Sequence, residues 1–148
     1  MACWIGIASA DHVRGGVAGG FAQLGHGRHD AIRALRKGDW LAYYAPREGM
    51  GTGAPVQAFT AIGRVTSDTA YHAAQAMGFH PYRVDIDYVA GARPAAIRPL
   101  LEGLDLTRGH EAHWGLLLRG PKRRITPDDM RRIAAAMGVP PGALDRAD

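Results

Sequence analysis

With 148 residues, 47% of them hydrophobic and 22% charged, the chain is long enough to bury a core without disulfides or a structural metal, and its balance excludes a disordered or repetitive protein. Lys plus Arg outnumber Asp plus Glu by 18 to 14, giving a formal charge of +4 and a pI near 9.6. The excess is carried mostly by arginine, whose guanidinium pairs with phosphate and stacks on bases, so an anionic partner such as nucleic acid is expected.

No apolar run approaches the roughly 20 residues of a membrane helix, and no basic-then-apolar leader opens the sequence. A cytoplasmic protein without a membrane partner is therefore expected. The single Cys3 excludes an internal disulfide and a thiolate zinc cluster, and is read as a small core residue.

In chain order, Trp4-Ile5-Gly6-Ile7-Ala8 predicts an apolar strand. It opens at Ser9 onto a long polar loop in which Gly15, Gly16, Gly19 and Gly20 turn the chain toward Phe21-Ala22-Gln23-Leu24. Asp30 to Gly38 predicts a short helix, with an acid in its first turn, bases in its last and glycine at the stop. Asp39 to Ala45 is rich in strand formers and ends at Pro46, Arg47 to Pro55 reads as a glycine-rich loop, and Gln57 to Ser67 predicts a second strand. Alternation in that second strand puts Phe59, Ala61, Gly63 and Val65 on one face and Thr60, Ile62, Arg64 and Thr66 on the other, so the pair reads as a hairpin.

Thr69 to Met77 is compatible with a helical turn before Gly78. Tyr82 to Val89 alternates cleanly, with Tyr82, Val84, Ile86 and Tyr88 inward and Arg83, Asp85 and Asp87 outward. A short helix is expected over Ile97 to Leu104 with Pro99 at its first position, and a strand over Trp114 to Arg119. The basic loop Arg119-Gly120-Pro121-Lys122-Arg123-Arg124 precedes the best-marked helix. Thr126 caps that helix, Pro127 suits its first position, Asp128 and Asp129 favour its positive end, Met130, Ile133, Ala134 and Met137 form its buried stripe, and Gly138 stops it. No βα alternation is long enough for a parallel crossover. The expected fold is α+β: one domain over residues 1–148, built as a small, mostly antiparallel barrel of about five to six strands with short helices around it.

Enzymatic signatures are weak. His110 and His113 stand three apart where a helical zinc-protease pair needs four, and His26 and His29 lack a third ligand, so no metal and no cofactor is expected. Ser9, Asp11 and His12 are the residue types of a hydrolytic triad, but they crowd one segment and no nucleophile elbow surrounds Ser9. No catalytic residue is assigned.

Several short motifs occur in a fixed order: Cys3-Trp4-Ile5-Gly6-Ile7-Ala8-Ser9, Gly19-Gly20-Phe21-Ala22-Gln23-Leu24, Lys37-Gly38-Asp39-Trp40, Tyr43-Tyr44, Gln57 to Gly63, Phe79-His80-Pro81-Tyr82-Arg83 and Ile97-Arg98-Pro99-Leu100. Together they resemble the EVE domain family over nearly the whole chain. That resemblance implies a PUA-like fold with a pocket opening on one side, and a nucleic-acid-binding module that reads a modified base of DNA or RNA. It also implies that the pocket is lined by the end of the first strand, the segment after it and the strand after the first helix, which here hold Ser9, His12, Phe21, Gln23, Tyr43 and Tyr44. The sequence departs from the thymocyte nuclear protein branch: Ala10 and Asp11 follow Ser9, and Phe21-Ala22-Gln23 stand where that branch carries a Trp. Ligand identity is not carried over.

A flipped base needs flat faces above and below it and directional groups at its edge. Phe21 and one of Tyr43 or Tyr44 are the candidate faces, since strand alternation points the two tyrosines to opposite sides; Ser9 and Gln23 are the candidate edge readers. Arg83, Arg119, Lys122 and Arg123 are candidate backbone contacts, with pairing to Asp85 or Asp87 the alternative for Arg83. Two other functions fit the same sequence: a nucleoside or amide hydrolase using the same cleft, and a regulatory RNA-binding protein that reads shape.

Overall fold

The computed structural model describes residues 1–75, 78–140 and 142–145. Eight strands form one curled sheet: β1 (Cys3–Ile7), β2 (Phe21–Ala22), β3 (Trp40–Gly49), β4 (Thr52–Val65), β5 (Tyr71–His72), β6 (Tyr82–Tyr88), β7 (Ala95–Ala96) and β8 (Lys122–Ile125). Its main path runs β2-β6-β4-β3-β1-β8, with β5 added to β6 and β7 to β4. The α+β architecture anticipated above is what the chain adopts, as a half-barrel whose outer strands β2 and β8 do not pair with each other. Among the described residues, three α-helices accompany it, α1 (Ala10–Gly19), α2 (His29–Ile32) and α3 (Pro127–Ala136), together with short 3-10 turns.

Period-two alternation divides the core between the two faces of the sheet. Cys3 and Ile5 of β1 and Trp40, Ala42 and Tyr44 of β3 face α3, meeting its stripe of Met130, Ile133, Ala134 and Met137. Trp4, Leu41 and Tyr43 face the other way and pack with Val13 of α1, Ile32 of α2, Leu24, Leu35 and Val84. The α3 signals are realised: Thr126 accepts from the Asp129 amide at 3.1 Å, and Pro127 opens the helix. The buried Asp129 carboxylate accepts from the amides of Asp105 (2.8 Å) and Leu106 (2.9 Å) and from Arg132 (2.8 Å), pinning an irregular segment to the helix.

Several sequence expectations are corrected. The segment after Ser9 is helix α1, not a loop, although its glycines lower helix propensity. Of those glycines, Gly20 has the left-handed φ of 73° and ends the helix, whereas Gly16 is buried where an added Cβ would lie 2.7 Å from the Phe21 carbonyl oxygen. Where a helix over Asp30–Gly38 was expected, the α-helix is His29–Ile32 and ends there. A parallel crossover does exist: β1 pairs with β3 in parallel, and α1, β2 and α2 make the connection, which supplies the length such a link requires.

Arg47 to Pro55 is paired strand rather than loop, since β3 and β4 run on to a turn at Met50-Gly51. A register shift between Tyr43↔Ala61 and Tyr44↔Phe59 puts one extra residue, Thr60, in β4. Phe59 consequently shares a face with Ile62, while Ala61 and Val65 take the opposite one. Tyr71 and His72 form a strand where a helical turn was expected, and Ala76 and Met77 of that expectation lie outside the described residues. Over Ile97–Leu104 only Arg98–Leu100 is helical, as a 3-10 turn.

Where a strand over Trp114–Arg119 was expected, Glu111–Leu118 is 3-10, and Lys122–Ile125, which includes Lys122–Arg124 of the expected loop, pairs with β1. A short apolar run does not by its pattern distinguish these outcomes.

Candidate functional site

A cavity of about 720 Å³, within the range typical of ligand sites, opens at the C-terminal end of β1. The end of that strand is held from both sides. The Ile7 amide donates to the Pro121 carbonyl (3.1 Å), and the Ala8 amide to that of Tyr44 (3.2 Å). The wall is completed by Ser9, Asp11 and His12 at the start of α1, Gln23 after β2, the Gly25–Arg28 turn, and Gly120-Pro121 before β8. Met50, 71% exposed, overhangs it from the β3–β4 hairpin. That arm is tied to α1 by an exposed Arg14–Glu48 pair at 3.3 Å.

The polar groups are fixed by hydrogen bonds that set their chemistry. Ser9 Oγ donates to Asp11 Oδ1 (2.5 Å), which also accepts the His12 amide (2.6 Å). The hydrogen bond from Ser9 and then that from the His12 backbone hold the Asp11 carboxyl below its ordinary value of 3.8, so it is charged at neutral pH. His12 Nε2 lies 3.3 Å from the Gln23 carbonyl. A carbonyl oxygen only accepts, so this nitrogen carries the proton. Ser9 thus has Asp11, and His12 has Gln23, as hydrogen-bond partner.

Gln23 is 5% exposed and bound on three sides. The Tyr43 hydroxyl donates to its carbonyl (2.9 Å) and accepts from its amide (3.2 Å), while Arg83 Nε donates to Oε1 (2.5 Å). With Oε1 engaged, the side-chain NH₂ is the donor that Gln23 has left to offer a ligand.

Of the sequence-derived pocket residues, the fold brings Ser9, His12 and Gln23 to the cavity wall. Tyr43 stands behind the wall: fully buried, with its hydroxyl pushed well above the usual phenol range by desolvation, it supports Gln23 instead of presenting a ring. Tyr44 is on the opposite face of the sheet, edge-on to Phe59 (5.7 Å) and Trp114 (6.2 Å), because alternation sends neighbouring strand residues apart. Phe21 is absent from the cavity lining. The Arg83 guanidinium lies 3.7 Å above its ring centroid, and a Cβ on Gly19 would come within 2.3 Å of the ring, so little space remains for a stacked ligand.

Among the expected backbone contacts, Arg83 is taken up by Gln23 and Phe21, and among the described residues it makes no ion pair with Asp85 or Asp87. Lys122 donates to the Ala31 carbonyl at 2.8 Å and is half-buried near Trp4. Arg119 and Arg123 are exposed. The wall residues that sequence reasoning did not assign include Asp11, His26, Arg28, Met50 and Pro121. The Gly25-His26-Gly27-Arg28-His29 run was the available signal, glycines flanking basic side chains, and His26 there takes a left-handed φ of 61°.

This geometry defines a small α+β half-barrel domain with a cavity of mixed polar and apolar lining at the end of its first strand. The chain belongs to the EVE domain family, whose description matches residues 2–136. It is 43% identical over 141 residues to UPF0310 protein msl3206 of Mesorhizobium japonicum, covering 94% of this chain and 93% of that one. Identity to UPF0310 protein YdcG of Bacillus subtilis is 42% over 138 residues, with 92% of each chain covered. Among solved structures, Atu2648 from Agrobacterium tumefaciens superposes with a TM-score of 0.56 at 12% identity, over 95% of this chain and 97% of that one. Rpa0253 from Rhodopseudomonas palustris gives 0.54 at 20%, over 94% of each. These two likenesses concern the fold. Among the described residues, no helix is long and apolar enough to cross a membrane.

Proposed function

We infer that the protein is a nucleic-acid-binding module that takes a single base, carrying a modification, into the cavity at the end of β1. The observation that carries this reading is the pairing on one wall of a charged acceptor, Asp11, with an amide donor, the Gln23 NH₂, in a cavity whose other walls include apolar Ile7, Ala8, Met50 and Pro121. A base has the same composition: a planar apolar body with donors and acceptors along one edge. Asp11 would accept from an exocyclic amino group, as an aspartate does from cytosine N4, while Gln23 donates to the neighbouring ring nitrogen or carbonyl. Met50 would cover one face of the base with a polarisable thioether, and its mobile side chain suits a ring bearing an extra substituent.

Hydrolysis in the same cleft is disfavoured because its first requirement, a nucleophile bonded to a base, is replaced by the Ser9–Asp11 and His12–Gln23 bonds. The reading is tested by measuring affinity across single strands that each carry one modified cytosine or adenine. Gln23→Ala is expected to weaken the best binder by about 1 to 3 kcal/mol, the worth of a good base-edge contact. Asp11→Asn is expected to weaken amino-bearing bases selectively. Unchanged affinity for every strand in both variants would sink the assignment.

A further inference from the structure

Another cleft, about 450 Å³, is linked to the main cavity through two consecutive residues. Arg28 lines the cavity, while His29, the next residue, lines this cleft together with Arg33, Ala34, Arg36, Thr69 and Ala70. Among the described residues, its lining contains two arginines and one histidine and no carboxylate. We propose that this cleft binds the backbone phosphates of the nucleotides flanking the base held in the main cavity, so that a single strand crosses the Arg28–His29 ridge from one to the other. The proposal rests on the function inferred above and extends it to a second contact region.

Three observations carry it. First, the cleft is built on rigid parts. The buried Asp39 carboxylate accepts the Arg36 amide (3.0 Å), the Ala2 amide (2.9 Å) and Trp4 Nε1 (3.2 Å), anchoring the turn after α2 to the start of β1. The Arg36 guanidinium donates to the carbonyls of Arg33 and Leu35, which holds the fork against that turn.

Second, the ridge is braced. The His29 ring lies 4.5 Å from that of Tyr82, which stacks at 4.6 Å and 14° on His72. Asp30, the acid nearest the ridge in sequence, pairs with Arg28 at 3.4 Å.

Third, both arginines are exposed, and no ion pair with a carboxylate is found for either among the described residues. Side chains kept on a fixed turn without an acidic partner suit an anion from outside, and arginine forks match phosphate oxygens bidentately. Because Arg28 of the main cavity and His29 of this cleft are neighbours in the chain, phosphates joined to a base held in that cavity are favoured over a free anion.

The test compares wild type, Arg33→Ala/Arg36→Ala and Arg33→Lys/Arg36→Lys by fluorescence anisotropy. The probe is a short fluorescein-labelled unmodified single strand, titrated across about 50 to 200 mM salt. Loss of two phosphate contacts should reduce the slope of log K against log salt by about 1.4, given roughly 0.7 per phosphate for single strands. The lysine pair should retain the slope, which separates lost charge from a disturbed fold.

An unchanged slope in the alanine pair overturns the proposal, and so does a wild type that does not bind the strand. Inorganic phosphate is titrated as competitor, and if it abolishes the difference between wild type and the alanine pair at millimolar levels, the cleft is a free-anion site and the strand assignment fails. Gln23→Ala is run alongside: if it leaves all affinities intact while the alanine pair loses slope, the base reading has failed and the phosphate cleft stands.

Discussion

Replacing Tyr43 by Phe removes one oxygen from the interior and tests whether the cavity wall depends on a residue that never reaches the cavity. The hydroxyl sits in a fully buried position, donating to the Gln23 carbonyl at 2.9 Å and accepting from its amide at 3.2 Å. After the change the carbonyl still has His12 Nε2 at 3.3 Å, whereas the amide loses the partner it has here in a buried site. An orphaned buried amide costs about 1 to 3 kcal/mol, and the ring volume is otherwise preserved. For a chain of this length that corresponds to a fall in melting temperature of about 4 to 8 °C for a 2 kcal/mol loss.

Urea unfolding followed by circular dichroism measures the change, with an unaltered m-value showing that the two end states are otherwise the same. Weaker binding of the best modified strand should accompany it, because Gln23 is the group the hydroxyl holds. A midpoint equal to that of wild type would refute the reasoning. It would mean that the two bonds contribute nothing net, or that Gln23 is held by Arg83 alone.

Other substitutions separate the interactions further. Gly15 and Gly16 are neighbours on α1, yet Ala should act on them with opposite sign. At Gly15 an added Cβ meets open space, and helix propensity predicts stabilisation of about 0.5 to 1 kcal/mol; at Gly16 it would lie 2.7 Å from the Phe21 carbonyl, so the packing of α1 on β2 must shift and thermal stability falls. Asp129→Ala should cost about 2 to 4 kcal/mol in urea unfolding by leaving the Asp105 and Leu106 amides without their acceptor, whereas Asp128→Ala, which breaks an exposed pair with Arg131, should cost less than about 1 kcal/mol. Because the folded-state Asp11 pKa is depressed, what its charge contributes is present above the ordinary value of 3.8 and lost only as pH falls through the lower, depressed one. Binding of an amino-bearing base measured against pH should therefore persist through mild acid, and a fall centred on neutrality would exclude Asp11 as the acceptor.

Several elements were readable because their causes are local. The α3 helix follows from a cap, a proline, two acids and a 3.6-residue apolar stripe that all lie within its own sequence, and β6 follows from strict alternation. The opposed directions of Tyr43 and Tyr44 follow from the two-residue period alone. The order of short motifs resembled a family, and with it a fold, because motif order reflects the whole chain.

What escaped the sequence depended on partners far along it. Helix α1 forms despite its glycines because Val13 packs into a core assembled from β1, β3 and β6, and Gly16 lets the helix approach β2. The Thr60 bulge turns Phe59 to the other face through pairing with β3, which nothing within β4 announces. Chemical type suggested Phe21 and the tyrosines as stacking faces, but ring orientation is set by tertiary packing: Phe21 lies under Arg83, Tyr43 behind Gln23, and Tyr44 against Trp114. Conversely, Met50 and Arg28 come to the cavity only through the length of a hairpin and the end of a crossover. Composition, capping and periodicity thus determined the basic character, the class of fold and its best-marked elements, since these are written in neighbouring residues; the membership of the cavity wall was decided by tertiary structure, because it is a property of which distant backbones meet.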